Sequence, residues 1–394
     1  VMVARVDYWI DQCLMDLVHC GDNATSKSRL GNFFLKLVTM TEFLKELVPA
    51  VHEFLTKYIH SWNGLEHQEQ IFKLLTFLRP GTFDQIYTGF LEPLNKLFVV
   101  STASWKAKLI HCYTDLLKYW ILLHVTRQND MEKQNLNGNI SPINTVTIHN
   151  FIDYINENAQ NALEIENDHI EIQHAVLSFV ETITFLQIKH EWDKIFIPSS
   201  SIVYRSFFSS SGMALSRICG IILKLKEGFD RCAGVRQNTQ DHINYFNSYV
   251  MDICNCLWRN RPFNKTDKNA KGFQFDDDVI DQMQKMCGED YSNFFSLTHL
   301  PSLAMMSKNC IQALEDSTPY VLKRLSKPVT HASLRQGRSA GGIDISYNNF
   351  RVHFLDELLG RGYIGLYTFL CQSITQLKDR SSFGRDNVLR SSVS

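Results

Sequence analysis

The chain has 394 residues, 44% apolar and 21% charged, the usage of an ordinary folded protein, which excludes a disordered or collagen-like chain and points to one to three domains. Forty Lys plus Arg against 41 Asp plus Glu leave a net charge of -1, so the bulk balance announces no nucleic-acid binder, membrane-surface protein or acidic tail. Nine prolines favour long helices over a turn-rich sandwich or barrel, and ten irregularly spaced cysteines point to a reduced, intracellular protein rather than a disulfide scaffold.

In chain order, Val6 to Cys20 is helical in pattern, and Arg5, Asp7, Asp11 and Asp16 interrupt its apolar face, unlike a signal peptide. The chain begins with Val1, and a pattern already running by residue 3 leads us to expect a start upstream. Ile71, Leu74, Leu75 and Leu78 form an i, i+3, i+4, i+7 stripe. Thr82 after Pro80-Gly81 predicts an N-cap for a helix over Phe83 to Phe98, with a kink or break at Pro93. Ser104 to Val125 carries Leu109, Cys112, Tyr113, Leu116, Leu117, Trp120 and Leu123 on one broad face. Ser141-Pro142 starts a helix through about Ala162, and Asp168 to Lys189 buries Ile172, Val176, Phe179, Val180 and Ile183. Further helices are predicted over Ile202 to Glu227, Asp241 to Trp258, Asp278 to Met286, Pro301 to Leu314, Thr318 to Leu325, Asn348 to Leu359 and Tyr363 to Lys378.

Helices of this length in pairs cannot each bury an apolar face alone, and stacking the pairs solves that. The expected fold is therefore all-α, an irregular HEAT-like α-solenoid of stacked helix pairs, with a globular all-α bundle as the alternative. Expected segments are a helical repeat region over 1–127, a continuation over 142–326, a flexible loop at 327–347 marked by Gly337, Gly341 and Gly342, and a C-terminal helical pair over 348–394. Loops are also expected at 21–29, 128–141 and 259–272. No run reaches the roughly 18 consecutive apolar residues of a membrane span, so no membrane partner is expected.

Two motifs resemble nucleotide sites without their context. Gly360-Arg-Gly362-Tyr-Ile-Gly365 fits GxGxxG, but Phe350, Phe354, Leu355, Leu358 and Leu359 precede it at helical spacing where the dinucleotide fingerprint needs a strand. Its glycines instead suit the end of one helix and the turn into the next. Gly21 to Ser28 approaches GxxxxGK[ST], but Ser26 stands where the second glycine must let backbone N–H groups reach the phosphates. No HExxH pair occurs, Cys254-x-Cys256 lacks companions for a zinc site, and no GxSxG elbow marks a nucleophile. No catalytic, cofactor or metal residue is assigned, and no enzyme is expected.

Charge distribution carries more. Residues 1–150 are balanced, 151–200 hold 2 basic and 9 acidic side chains, 201–271 hold 11 and 5, 272–321 hold 2 and 8, and 322–394 hold 11 and 5. The near-zero total is thus a cancellation between bands. Lys224, Lys226, Arg231 and Arg236 form one basic cluster; Arg259, Arg261, Lys265, Lys268 and Lys271 form another, on an expected loop. Such clusters suit phosphate neutralisation without sequence readout, while solvated faces or pairing with the acidic helices would explain them equally.

The stretches EHQEQIFKLLTFLRPGTFDQIYTGFLEPLNKLF and KLIHCYTDLLKYW, between Leu65 and Trp120, resemble the C-terminal half of the centromere protein I family of inner-kinetochore subunits. So do IPSSSIVYRSFFSSSGMALSRICGIILKLK, from Ile197 to Lys226, DDDVIDQMQKMCGEDY and LPSLAMMS. The resemblance implies a non-enzymatic scaffold assembling with centromere proteins H, K and M and other inner-kinetochore subunits beside centromeric nucleosomes and linker DNA. Contact with centromere protein M falls mainly to the family's N-terminal region, which this chain lacks, so H and K are the favoured partners. The rival expectation is a helical-repeat adaptor of transport or trafficking type that binds peptides and never touches DNA; nucleotide binding at Gly21 to Ser28 or Gly360 to Gly365 ranks third.

Overall fold

The stripe of Ile71, Leu74, Leu75 and Leu78 is fully buried, and the same logic of one apolar face per helix runs through the whole structure. The structure is a computed structural model; it describes residues 2–19, 24–134, 145–166, 169–192, 195–231, 240–262 and 276–380, all in helices, turns and irregular segments with no strand among them. The chain divides into two compact units, Val1–Thr182 and Ile183–Ser394.

The first unit runs α1 (Met2–His19), α2 (Ala24–Leu44), α3 (Pro49–Tyr58), α4 (Gln68–Leu75), α5 (Phe83–Ile86), α6 (Glu92–Val100), α7 (Ala103–Gln134), α8 (Thr145–Ile165) and the start of α9 (Ile170–Lys189). Each packs on helices one to three places away in the chain: α1 on α2 and α3, α2 on α4, α7 on α4, α6 and α8. Stacked helical repeats show this neighbour-only pattern. The predicted cap is present, with the Thr82 hydroxyl accepting the Gln85 N–H at 3.4 Å and the Gln85 side chain accepting the Thr82 N–H at 3.2 Å. The break expected at Pro93 is a π turn over Tyr87–Leu91 joining α5 to α6. Proline offers no N–H to the Gly89 carbonyl, and the helix adjusts by widening, with the Glu92 N–H reaching back to the Tyr87 carbonyl.

Side chains of α7 tie this layer to the preceding one. The Trp105 indole donates to the Gly64 carbonyl at 2.7 Å, the Cys112 thiol to the Phe72 carbonyl at 3.2 Å, and the Trp120 indole to the Leu78 carbonyl at 2.7 Å. Spacings of seven and eight put the three donors on one face, so a single helix satisfies carbonyls at and beyond both ends of α4. Lys106, almost fully buried, pairs with Glu166.

The second unit contains the rest of α9, α10 (Ser200–Phe207), α11 (Gly212–Arg231), α12 (Gln240–Cys254) with a π turn at Asn255–Arg259, α13 (Asp277–Cys287), α14 (Ala304–Ser317), α15 (His331–Ser339), α16 (Tyr347–Gly360) and α17 (Ile364–Ser373). Packing here is less sequential, because α17 returns to lie on α11 and α12. The Tyr204 hydroxyl of α10 donates to the buried Asp252 carboxylate of α12 at 2.7 Å. The helix expected over Ile202 to Glu227 is broken into α10 and α11 at 208–211.

Two segments differ in secondary structure from their sequence reading. The flexible loop at 327–347 contains α15, fixed by a capping box in which the Thr330 hydroxyl accepts the Ser333 N–H and the Ser333 hydroxyl accepts the Thr330 N–H. Its glycines drew the loop reading, and Leu334 alone supplies the buried apolar stripe. Conversely, the helix predicted over Thr318 to Leu325 is an irregular strap in which Tyr320 takes a positive φ of 69°.

Candidate nucleic-acid interface

The apolar residues of α11, among them Leu223, Leu225 and Phe229, are buried, which leaves Lys224 and Arg231 on its exposed side and Lys226 half-buried. Among the described residues none of these three cations makes an ion pair. Glu227 and Asp230 occupy the same last turns, so the local excess is a single positive charge. Arg236 lies outside the described residues.

The second cluster begins where α12 ends. Past the π turn, Asn260 adopts the left-handed conformation at φ 52°, and the Arg261 N–H closes the helix on the Asn255 carbonyl at 2.9 Å. Arg259 and Arg261 are exposed, and the Arg259 guanidinium donates to the Asn255 side chain at 3.1 Å. Lys265, Lys268 and Lys271 lie outside the described residues.

The structure brings parts of the two clusters together. Burial pushes the Cys254 thiol up to about 11, and the charges of Arg259 and Lys226 both pull against it. α11 packs on α12, and a cation from each element acts on this one buried thiol. Exposed cations of this kind suit phosphate oxygens, Lys as a point charge and Arg through a forked pair of donors.

What fixes the end of α12 is a residue that sequence reasoning missed. Arg351 of α16 is 6% exposed, with its guanidinium carbon 4.2 Å from the Trp258 ring centre and 4.8 Å from that of Tyr347. It donates to the Trp258 carbonyl and to the Asn348 side chain. Burial lowers its pKa, opposed by Tyr347. With Trp258 and Arg351 93 positions apart, no spacing in the sequence could have revealed the pair.

The nucleotide-like motifs have other uses. Lys27, on α2, pairs at 2.8 Å with Glu66 of the segment before α4, and residues 21–23 lie outside the described residues. Gly360 ends α16, Gly362 turns the chain at φ 91°, and Gly365 lies against the α11 backbone. Cys254 and Cys256 are buried, and no cluster of three or more His, Cys, Asp or Glu fit for a metal occurs among the described residues. No described helix is long and apolar enough to cross a membrane.

The described residues form an all-α array of packed helices with a basic edge, the build of a helical-repeat protein. The family model for CENP-I, described as Mis6, matches residues 1–137, and the model for the CTF3 C-terminal domain matches 297–381. Centromere protein I of Gallus gallus is 25% identical over 394 residues, covering 96% of this chain and 49% of the relative. The Rattus norvegicus protein of the same name is 23% identical over 390 residues, covering 95% and 48%. The chain belongs to the centromere protein I family. It spans about half the length of the curated relatives it matches.

Proposed function

We propose that this chain is a non-enzymatic scaffold of the inner kinetochore at centromeric chromatin in the nucleus. In this reading its helical layers accept the helices of centromere proteins H and K, and contact with centromere protein M and other inner-kinetochore subunits completes the assembly. Grooves between stacked helices suit partners that present apolar residues at i, i+3, i+4 and i+7. Family membership across nearly the whole chain supports the scaffold role.

The basic edge is assigned to linker DNA, held without sequence preference. The observation that carries this is the packing of α11 on α12, with exposed Lys224 and Arg231 and half-buried Lys226 on the one and exposed Arg259 and Arg261 at the end of the other. Arg236, Lys265, Lys268 and Lys271 extend the same assignment on sequence alone.

Co-elution of the purified chain with centromere proteins H and K tests the scaffold role. Charge reversal of Lys224, Lys226, Arg259 and Arg261 in that complex tests the DNA role. Each phosphate contact adds about 0.9 to the slope of log affinity against log salt, so the slope should become shallower by about 2–4. An unchanged slope removes the DNA assignment, and failure to co-elute removes the partner assignment.

A further inference from the structure

Within the second unit, the end of α13, the turn that follows it and the start of α15 surround a cavity of about 280 Å³. Lys327, His299, Asn293, Thr330, Gln336 and Cys287 contribute to its wall, and no Asp or Glu does among the described residues. Hydroxyl, amide, imidazole and ammonium groups punctuate a wall that is otherwise mostly apolar, with the positive charge of Lys327 among them.

On the side of the strap and α15 the surroundings are basic, whereas α13 and its turn belong to the acidic stretch 272–321. From Ser317 to Ile343 there is no acidic residue, against five Lys or Arg. Arg324 pairs with Asp316 at 2.5 Å and Arg338 with Asp344 at 2.8 Å, whereas Lys323, Lys327 and Arg335 make no ion pair among the described residues. The strap at 318–328 is held along α15: the Leu322 N–H donates to the Gly341 carbonyl at 2.9 Å, and a Cβ on Gly337 would stand 3.4 Å from Leu325. The 4% exposed carboxylate of Glu315 accepts the Leu325 N–H at 2.8 Å, which anchors the strap from beneath. The same strap leaves Tyr320 95% and Leu322 87% exposed.

We propose that this face binds an acidic segment of a partner protein by a phosphoserine or phosphothreonine side chain that enters the cavity. The recess exceeds the roughly 30 Å³ share of a water molecule several-fold, so a phosphoryl group fits. Its donors suit phosphate oxygens, and Lys327 supplies a charge that no carboxylate among the described wall residues cancels. A peptide is favoured over a nucleic-acid backbone by Tyr320 and Leu322, which offer apolar contact to side chains and nothing to a run of phosphates. The wall adjoins the end of α12, where the Asn260 side chain donates to that of Asn293 at 3.4 Å, so the test includes substitutions in α11 as a control for the basic edge.

The test uses the full chain with an immobilised degenerate phosphoserine and phosphothreonine peptide library, its unphosphorylated counterpart, and random-sequence duplex DNA as competitor. The phosphorylated library should retain about tenfold more chain, the order of magnitude of one charge-assisted hydrogen bond. Lys327→Gln should abolish the difference, while Lys224→Glu with Lys226→Glu should leave it. Because Cys287 is an exposed thiol in the cavity wall, bound phosphopeptide should also slow its alkylation, read by mass spectrometry at that residue. Equal retention on both libraries, undiminished retention of Lys327→Gln, unprotected Cys287, or displacement by duplex alone would each overturn the proposal.

Discussion

Gly220 and Gly365 bring α11 and α17 into backbone contact. A Cβ on Gly220 would stand 3.4 Å from the Gly365 Cα, and one on Gly365 would stand 2.1 Å from the Ser216 carbonyl oxygen. The obstacle is helix backbone, which cannot swing aside as a side chain can. Gly365→Ala should therefore destabilise the chain by about 1–3 kcal/mol, the usual cost of overpacking, or more if the helices are forced apart. Gly360, in the same GxGxxG string, has nothing within 4 Å of an added Cβ and no positive φ, so Gly360→Ala should be neutral or slightly stabilising. Urea unfolding of both variants checks this; equal effects would show that the crossing does not need its glycine.

The Trp120 indole, fully buried, gives its N–H to the Leu78 carbonyl just beyond α4. Trp120→Phe keeps most of the apolar volume and removes the donor, leaving that carbonyl without its partner. A loss of about 1–3 kcal/mol is expected, the cost of an orphaned buried acceptor plus a small cavity. Trp105→Phe, which frees the Gly64 carbonyl, should cost a similar amount. Chemical denaturation followed by far-UV circular dichroism measures both, and a loss below about 0.5 kcal/mol would mean that water replaces the indole.

These donors mark where sequence reading succeeds and where it stops. That Trp120 and Cys112 face inward follows from the apolar stripe of α7, because burial and period are both local properties. That each reaches a backbone carbonyl about forty residues away is a property of the stacked pair, invisible until α4 and α7 are placed side by side. The basic residues of α11 were legible as charge, but the approach of Lys226 to Arg259 needed the path of α12, and Arg351 had no local signal at all. The strap and α15 were misread in opposite directions: apolar Val321, Leu322 and Leu325 suggested a helix, while polar, glycine-bearing α15 suggested none. In both places, contacts to Glu315, Gly341 and the capping pair Thr330 and Ser333 overrode local propensity.

His52 of α3 packs its ring 5.4 Å from that of Phe90, and its Nδ1 atom is buried without a hydrogen-bond partner. Burial, and secondarily the charge of Arg79, lower its pKa below 6.5. The unfolded chain then takes up a proton before the folded chain does. Stability from this group is complete above about pH 6.5 and is lost as pH falls toward the lowered folded value. His52→Gln should flatten the decline in unfolding free energy between about pH 7 and pH 5. An unaltered decline would assign it to other groups, with His190, also lowered mainly by burial, the next to substitute.

Arg351 links the stability of the second unit to its basic edge. The guanidinium lies between two aromatic rings and caps the Trp258 carbonyl, one residue before Arg259. Lysine keeps the charge but loses the planar stacking and the fork of donors, so Arg351→Lys should not rescue Arg351→Met. Each should cost about 1–3 kcal/mol in urea unfolding, since the carbonyl loses its partner in a buried site. If the same contact sets the direction of the chain through Arg259 and Arg261, Arg351→Lys should also weaken DNA binding by the complex while both arginines remain. Arg259→Glu should weaken that binding with no comparable loss of stability, because Arg259 is exposed and among the described residues donates to the Asn255 side chain alone. DNA affinity of Arg351→Lys equal to wild type, beside reduced stability, would confine Arg351 to the core and leave the edge to be held by α12 alone.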